Sequence, residues 1–261
     1  MAKKSKKAEA EAQEAIEEKP RAKARRRVRC PVCEGHGAKI EGQEAACRCE
    51  SCGAVFLNPR PSKGELLNDR NKRFDGALSA NHSAAMREDA QAAVEIMRGY
   101  HLAVSGKDAP LNAFGKRLLD VGCGLGFRIR EFEKYGWSAL GIESSVNAHA
   151  YTQAMMLQVI ENDFESIRVG PFDLILIEDV IEEVTEPRNL VASIKESLSP
   201  QGVVCVSVKS REGEEEEALP DNKLYQFNED SLRRLFMQGG FAEPQVKDEG
   251  KLRLWFRLKR R

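Results

Sequence analysis

The chain has 261 residues, with 41 basic and 41 acidic side chains and a formal net charge of zero. That length holds one full α/β core with a small appendage and excludes two large cores, while the balance of charge excludes a bulk attraction to nucleic acid or membrane as the dominant property. No uninterrupted apolar run approaches the roughly 18 residues needed to cross a bilayer, so no membrane partner is expected.

Residues 1–29 carry eleven Lys or Arg and five Glu with almost no large apolar side chain. Such a stretch cannot bury enough surface to offset its ordering entropy, and a disordered basic tail is expected. Lys3, Lys4, Lys6 and Lys7 lead into Ala and Glu rather than into an apolar stretch, which does not read as an export signal. A cytoplasmic protein is expected. The cluster Arg25, Arg26, Arg27 and Arg29 leaves open a contact with nucleic-acid phosphates, although no aromatic residues are interleaved for base stacking.

Five of the seven cysteines fall between positions 30 and 52. Cys30-Pro-Val-Cys33 and Cys49-Glu-Ser-Cys52 stand fifteen residues apart, the spacing at which two tight turns aim four thiolates at one Zn²⁺. Gly53 follows the second pair, where such turns often need a positive φ. Few apolar residues lie between positions 28 and 57, so the metal is expected to supply most of this module's folding free energy. Four thiolates close the coordination sphere, which makes the expected role structural. Cys47 reads as a spare thiol, with a swap for Cys49 left open, and His36 as a loop residue.

Leu118-Leu119-Asp120-Val121 is a short apolar run that reads as a buried parallel strand. Gly122-Cys123-Gly124-Leu125-Gly126 follows, and then a helix over residues 127–135. The missing Cβ atoms let the backbone approach a ligand, and the helix offers its N-terminus. A dinucleotide fingerprint needs a third glycine where Phe127 stands, so the turn suits an adenosyl sulfonium better than NAD. A second strand over residues 138–142 ends in Glu143, about twenty residues past the first glycine, where a carboxylate can accept both ribose hydroxyl protons. A strand-end acid solvated by water is the plainer reading of Glu143.

Further strands are expected at residues 159–164, 172–177 and 203–208, with a helix over 187–198, which makes the sheet doubly wound and mostly parallel. Leu252, Leu254, Phe256 and Leu258 alternate with Arg253, Trp255 and Arg257, the pattern of a half-exposed antiparallel strand. The segment 211–221, with four consecutive Glu at 214–217, is either a loop near the end of the strand at 203–208 or a solvated surface insertion.

Taken in order, these residues resemble class I S-adenosylmethionine (AdoMet)-dependent methyltransferases, and more narrowly bacterial zinc-ribbon members. The narrower likeness rests on Cys52-Gly-Ala-Val-Phe-Leu-Asn-Pro-Arg-Pro61, on Leu119-Asp-Val-Gly-Cys-Gly124, on Leu198-Ser-Pro-Gln-Gly202 and on Leu224-Tyr-Gln-Phe227. It implies a seven-stranded, Rossmann-like α/β sheet. Gly122, Gly124 and Gly126 would flank the methionine part of AdoMet, Glu143 would bind the ribose, and Asp163 with Phe164 would border the adenine. Asp120 would orient the loop, and Cys123, Ser144 and Glu178 join the cofactor-binding set. Asp163 also suits a turn or helix cap. The expected division is a tail at 1–29, a zinc-ribbon-like module at 30–62, a helical lead-in at 63–115 and a methyltransferase domain at 116–261.

After the fourth strand such enzymes commonly show Asp-Val-Leu-Glu-His, whereas this chain has Asp179-Val-Ile-Glu-Glu183. No histidine role carries over. Asp179 and Glu182 are the candidates for acceptor binding or general base, with ordinary exposed helix acids as the alternative for Glu182 and Glu183. No Asn-Pro-Pro-Tyr segment follows the strand, which argues against amide and adenine amino methylation. Three functions remain: methylation of a small molecule such as a sugar, lipid precursor or metabolite; methylation of RNA or the ribosome aided by the basic tail; and non-catalytic AdoMet binding.

Overall fold

A computed structural model describes residues 27–107, 110–209, 219, 223–248 and 251–259. The expected basic tail, apart from its last three residues, and nearly all of the acidic segment 211–221 lie outside the described residues. Among those described, no helix is long and apolar enough to cross a membrane.

Seven strands form the main sheet: β4 (Arg117–Val121), β5 (Ser138–Glu143), β6 (Val159–Glu161), β7 (Phe172–Glu178), β8 (Leu198–Lys209), β10 (Gln245–Asp248) and β11 (Lys251–Phe256). Their order is β10-β11-β8-β7-β4-β5-β6, and only the β10–β11 and β11–β8 pairings are antiparallel. Continuous apolar runs such as Leu174-Ile-Leu-Ile177 and Val203-Val-Cys-Val206 are buried because helices cover both faces.

On one face, α2 (Ser83–Ser105) and α3 (Phe127–Lys134) enclose Leu118, Leu174, Leu176, Val203 and Cys205. On the other, α5 (Pro187–Ser197) and α6 (Glu229–Gln238) cover Leu119, Ile175, Ile177, Val204 and Val206. Two further helices sit beside the C-terminal end of β5: α4 (Val146–Ala154), and α1 (Lys63–Arg73), which opens with Ser62 and Glu65 in a reciprocal capping box.

Strand β11 is antiparallel as expected, but it is less exposed than its alternation implies. It lies inside the sheet between β10 and β8, and Trp255 is buried under α2. Gly99 of α2 makes room for the indole, since a Cβ there would fall 2.3 Å from Trp255 Cζ2. Strand β8 begins at Leu198, five residues before the expected start, because Leu198 already pairs with Phe172.

The cysteine-bearing segment forms a second sheet, β1 (Gly37–Ile40), β2 (Gln43–Cys49) and β3 (Val55–Leu57), to which the chain adds β9 (Tyr225–Gln226) from far along the sequence. A small cluster of Ile40, Ala46 and Val55 stays within this sheet, but its other buried apolar residues do not form a separate core. Cys30, Val32, Cys47, Ala54 and Phe56 pack into the same cluster as the α5 and α6 face of the main sheet.

Candidate functional site

After β4 the backbone turns sharply, with Gly122, Gly124 and Gly126 at φ +70°, +56° and +76°. A Cβ on Gly122 would fall 2.2 Å from Val180 Cγ2, and one on Gly126 would fall 2.5 Å from Leu157 Cδ1, so both positions need glycine for packing as well as for φ. Gly122 N and Cys123 N both donate to Ile142 O, at 2.8 and 3.2 Å, which ties the turn to β5. The Cys123 thiol is buried beside Gly141 and Ile129, and burial pushes it well above the ordinary thiol range.

Glu143 ends β5 and is buried. Its Oε2 accepts from Gly124 N at 2.9 Å and its Oε1 from Ser145 N at 2.8 Å. The carboxylate therefore spans the glycine turn and the start of α4. It is not a solvated strand-end acid. Next to it, Ser144 lines a cavity of about 220 Å³ with Lys63, Leu66, Arg70, Asp163 and Thr185.

Asp163 does two things in that wall. It caps the short 3₁₀ turn Phe164–Ser166, accepting from Glu165 N at 3.2 Å, and it pairs with Lys63 Nζ at 3.0 Å. Phe164 is buried, with the Arg70 guanidinium 4.8 Å above its ring.

On the α2 face, Asp120 is fully buried beside Arg128, Nε to Oδ2 3.4 Å, while Asp120 Oδ1 has no hydrogen-bond partner among the described residues. Burial pushes Asp120 up to about 6, against the pull of Arg128. Glu178, at the end of β7, is buried too. Burial acts to raise it, but Arg253, Lys251 and Arg128 together hold it below the usual carboxylate range.

Beyond β7 the chain forms a 3₁₀ turn, Ile181–Glu183, rather than an exposed helix. Glu182 and Glu183 are both buried there. Lys223 Nζ lies 3.1 Å from Glu182 and 3.2 Å from Glu183, and donates to Asp179 O at 2.8 Å. Arg73 Nη1 and Nη2 grip Glu183 at 3.0 and 2.5 Å. Burial acts to raise both acids. It wins at Glu182, whereas Arg73 and Lys223 hold Glu183 below the usual range. Asp179, at φ +58°, is half-exposed and pairs with Lys251 at 2.5 Å.

The four sulfurs of Cys30, Cys33, Cys49 and Cys52 lie within 4.8 Å of one another, with Cys30–Cys52 at 3.6 Å and Cys33–Cys49 at 3.4 Å. A tetrahedral site with Zn–S bonds of about 2.3 Å needs sulfurs about 3.7 Å apart, so the four fit zinc. A hydrogen bond from Cys52 pulls Cys30 down to about 5, and the same pairing pushes Cys52 up. Cys47 lies outside the group, on β2 opposite Phe56, and His36 is exposed.

Sequence reasoning missed the basic residues of this site: Lys63, Arg70 and Arg73 on α1, and Lys223. The capping box Ser62-x-x-Glu65 signalled the helix, and Arg70 and Arg73 share one helical face, but no spacing told which acids they meet.

Comparisons with known proteins agree with this architecture. A family profile described as "Methyltransferase domain" matches residues 86–243. The ubiquinone biosynthesis O-methyltransferase of Nitrosococcus oceani is 31% identical over 106 residues, covering 37% of this chain and 45% of that protein. Its Psychrobacter cryohalolentis counterpart is 28% identical over 127 residues, covering 44% and 49%. The chain thus spans about half the length of the curated relatives it matches. Among solved structures, magnesium protoporphyrin IX methyltransferase (ChlM) of Synechocystis PCC 6803 with bound SAH superposes with a TM-score of 0.53 at 16% identity, over 75% of this chain and all of that one (100%). DesVI of Streptomyces venezuelae gives 0.52 at 16% identity, over 77% and 100%. These two share the fold, and the profile match, which takes in more than half of the sequence, makes the chain a member of the methyltransferase-domain family with the class I AdoMet-dependent fold.

Proposed function

We propose that this protein transfers the methyl group of AdoMet to a small-molecule acceptor, a sugar, lipid precursor or other metabolite. The observation that carries the reading is the Glu143 carboxylate, fixed between Gly124 N and Ser145 N, whose chain neighbour Ser144 lines a cavity that runs to Asp163. In the bound state Glu143 accepts from the ribose hydroxyls and the backbone of Gly122, Cys123, Gly124 and Gly126 flanks the methionine part. Asp163, Phe164 and Ser144 border the adenine, with Lys63 and Leu66 of α1 as its roof. Asp120 and Glu178 hold the strand ends on either side of the turn.

AdoMet supplies a methyl carbon made electrophilic by its sulfonium. The chain's own residues orient the acceptor in line with that carbon, exclude water and take up a proton where one is released. Asp179 and Glu182 stand where the acceptor enters. Burial raises Glu182 above the ordinary carboxylate range against the pull of Lys223, which suits a base. The small-molecule reading draws support from the curated relatives, which are named for O-methylation in ubiquinone biosynthesis, and from the acceptor mouth, where Lys223 and Lys251 are paired with carboxylates rather than arrayed for phosphates. The division into tail 1–29, module 30–62, lead-in 63–115 and catalytic domain 116–261 belongs to the same proposal.

The test is S-adenosylhomocysteine formation with AdoMet plus either a low-molecular-weight metabolite fraction or total RNA. The proposal predicts product with the metabolite fraction alone. Product that depends on RNA transfers the function to the RNA-directed reading. Binding of AdoMet without product in either fraction supports the non-catalytic one.

A further inference from the structure

The four-cysteine module is joined to the acceptor side of the site by a continuous set of contacts. Strand β3 pairs antiparallel with β9, Val55 opposite Gln226 and Phe56 opposite Tyr225. Leu57 N donates to Leu224 O at 2.9 Å, and Leu224 N donates in turn to Glu182 O at 2.7 Å. One residue earlier stands Lys223, which touches Glu182, Glu183 and the Asp179 carbonyl. The buried Tyr225 donates its hydroxyl to Thr185 O at 2.9 Å and accepts from Arg60 at 2.8 Å, and Arg60 also bonds Thr185 O and Glu186.

The cysteine turns themselves press on this junction. Gly53, directly after Cys52, lies so close to Asn228, the cap of α6, that a Cβ would fall 2.9 Å from its Nδ2. Arg234 of α6 donates to Ser51 O at 2.7 Å. Phe56 and Val32 are fully buried in the apolar cluster that also holds Val180, Ile181, Val184 and Tyr225.

Three short strands with few apolar residues of their own are not stable in isolation, so the free energy of closing four thiolates on zinc fixes where β3 runs. We propose that the zinc-loaded module is a positioning device for the methyl acceptor: through β3 and β9 it holds Lys223 and the turn Ile181–Glu183 in place, while the cofactor half stands without it. This rests on the placement of the acceptor beside Asp179 and Glu182 argued above.

Hydrogen exchange of the full chain, zinc-loaded and after stripping by a strong chelator, tests the proposal, with zinc content measured on both samples and S-adenosylhomocysteine affinity by calorimetry. Stripping is expected to speed exchange of residues 181–186 and 223–228 by about tenfold or more, with β4, β5 and β7 still protected and the affinity within about twofold. Unchanged exchange in those two segments overturns it, and so does a uniform loss of protection that includes β4, β5 and β7. Arg60→Met cuts the junction without touching a cysteine. It is expected to speed exchange at 181–186 with one zinc per chain retained, and no change there also overturns the proposal. Turnover is not among these readouts, so failure of the function proposed above would remove the link to the acceptor and leave the coupling of the module to residues 181–186 and 223–228 standing.

Discussion

The acids of this protein are sorted by what each one touches. Asp120 is fully buried with Arg128 against one oxygen, and burial lifts it from 3.8 to about 6. A carboxyl raised in the folded state holds its proton more tightly there, so its contribution to stability is complete below pH 3.8 and disappears as the pH rises through about 6. Chemical denaturation between pH 4 and 7 should therefore show a loss on the order of 2 kcal/mol that flattens in Asp120→Asn. Glu182 is raised by burial as well, and serving as base it must lose its proton first. Turnover should climb with pH through its displaced pKa, and Glu182→Gln should lose about 10²- to 10⁴-fold in kcat and the pH dependence with it, while S-adenosylhomocysteine affinity stays put. Among the cysteines, Cys47→Ala should keep one zinc per chain by elemental analysis and Cys49→Ser should lose it, because Cys47 lies outside the four-sulfur group. Glycines, strand-end acids and cysteine pairs were legible in the sequence because each answers to a local spacing. Lys63, Arg70 and Lys223 were not, because their partners stand at least 40 residues away and no period of the chain encodes such a meeting.

Among the elements, the strands of the parallel sheet could be read from their apolar runs, and the alternation of helices and strands implies their parallel pairing but not their order. The C-terminal strand was misread on one point. Alternation in Leu252-Arg-Leu-Trp-Phe256 shows two unlike faces, but it does not tell whether the second face meets water or a helix. The structure lays α2 across it, with Gly99 over Trp255. This fixes the sign of one substitution. Alanine for glycine inside a helix ordinarily adds about 1 kcal/mol, yet a Cβ at Gly99 would stand 2.3 Å from Cζ2 of the indole. Gly99→Ala should be destabilising by about 1–3 kcal/mol and lower Tm by several degrees in a thermal melt. A second element, α1, reads in the sequence only as part of the helical lead-in at 63–115. In the structure it roofs the cavity beside Glu143 with Leu66 and Arg70 and closes on Asp163 through Lys63.

Across the whole molecule, the chain reads as an appendage followed by a catalytic domain, and the physical reason this division is incomplete lies in β9. A two-residue strand carries no periodic signal, yet β9 adds residues 225–226 to the cysteine-bearing sheet, and Val32 and Phe56 share one apolar cluster with the main sheet. What organises the molecule is the crossing at the glycine turn, where the end of β4, the end of β5 and the start of α4 meet on one carboxylate. Calorimetric titration of S-adenosylhomocysteine into the full chain and into its Glu143→Ala variant tests that centre directly. The wild-type chain should bind one equivalent and the variant should bind at least about tenfold more weakly, by roughly 1.5–3 kcal/mol, the range for a lost charged hydrogen bond. Equal affinity in the two proteins, or no heat from the wild type, would contradict the account.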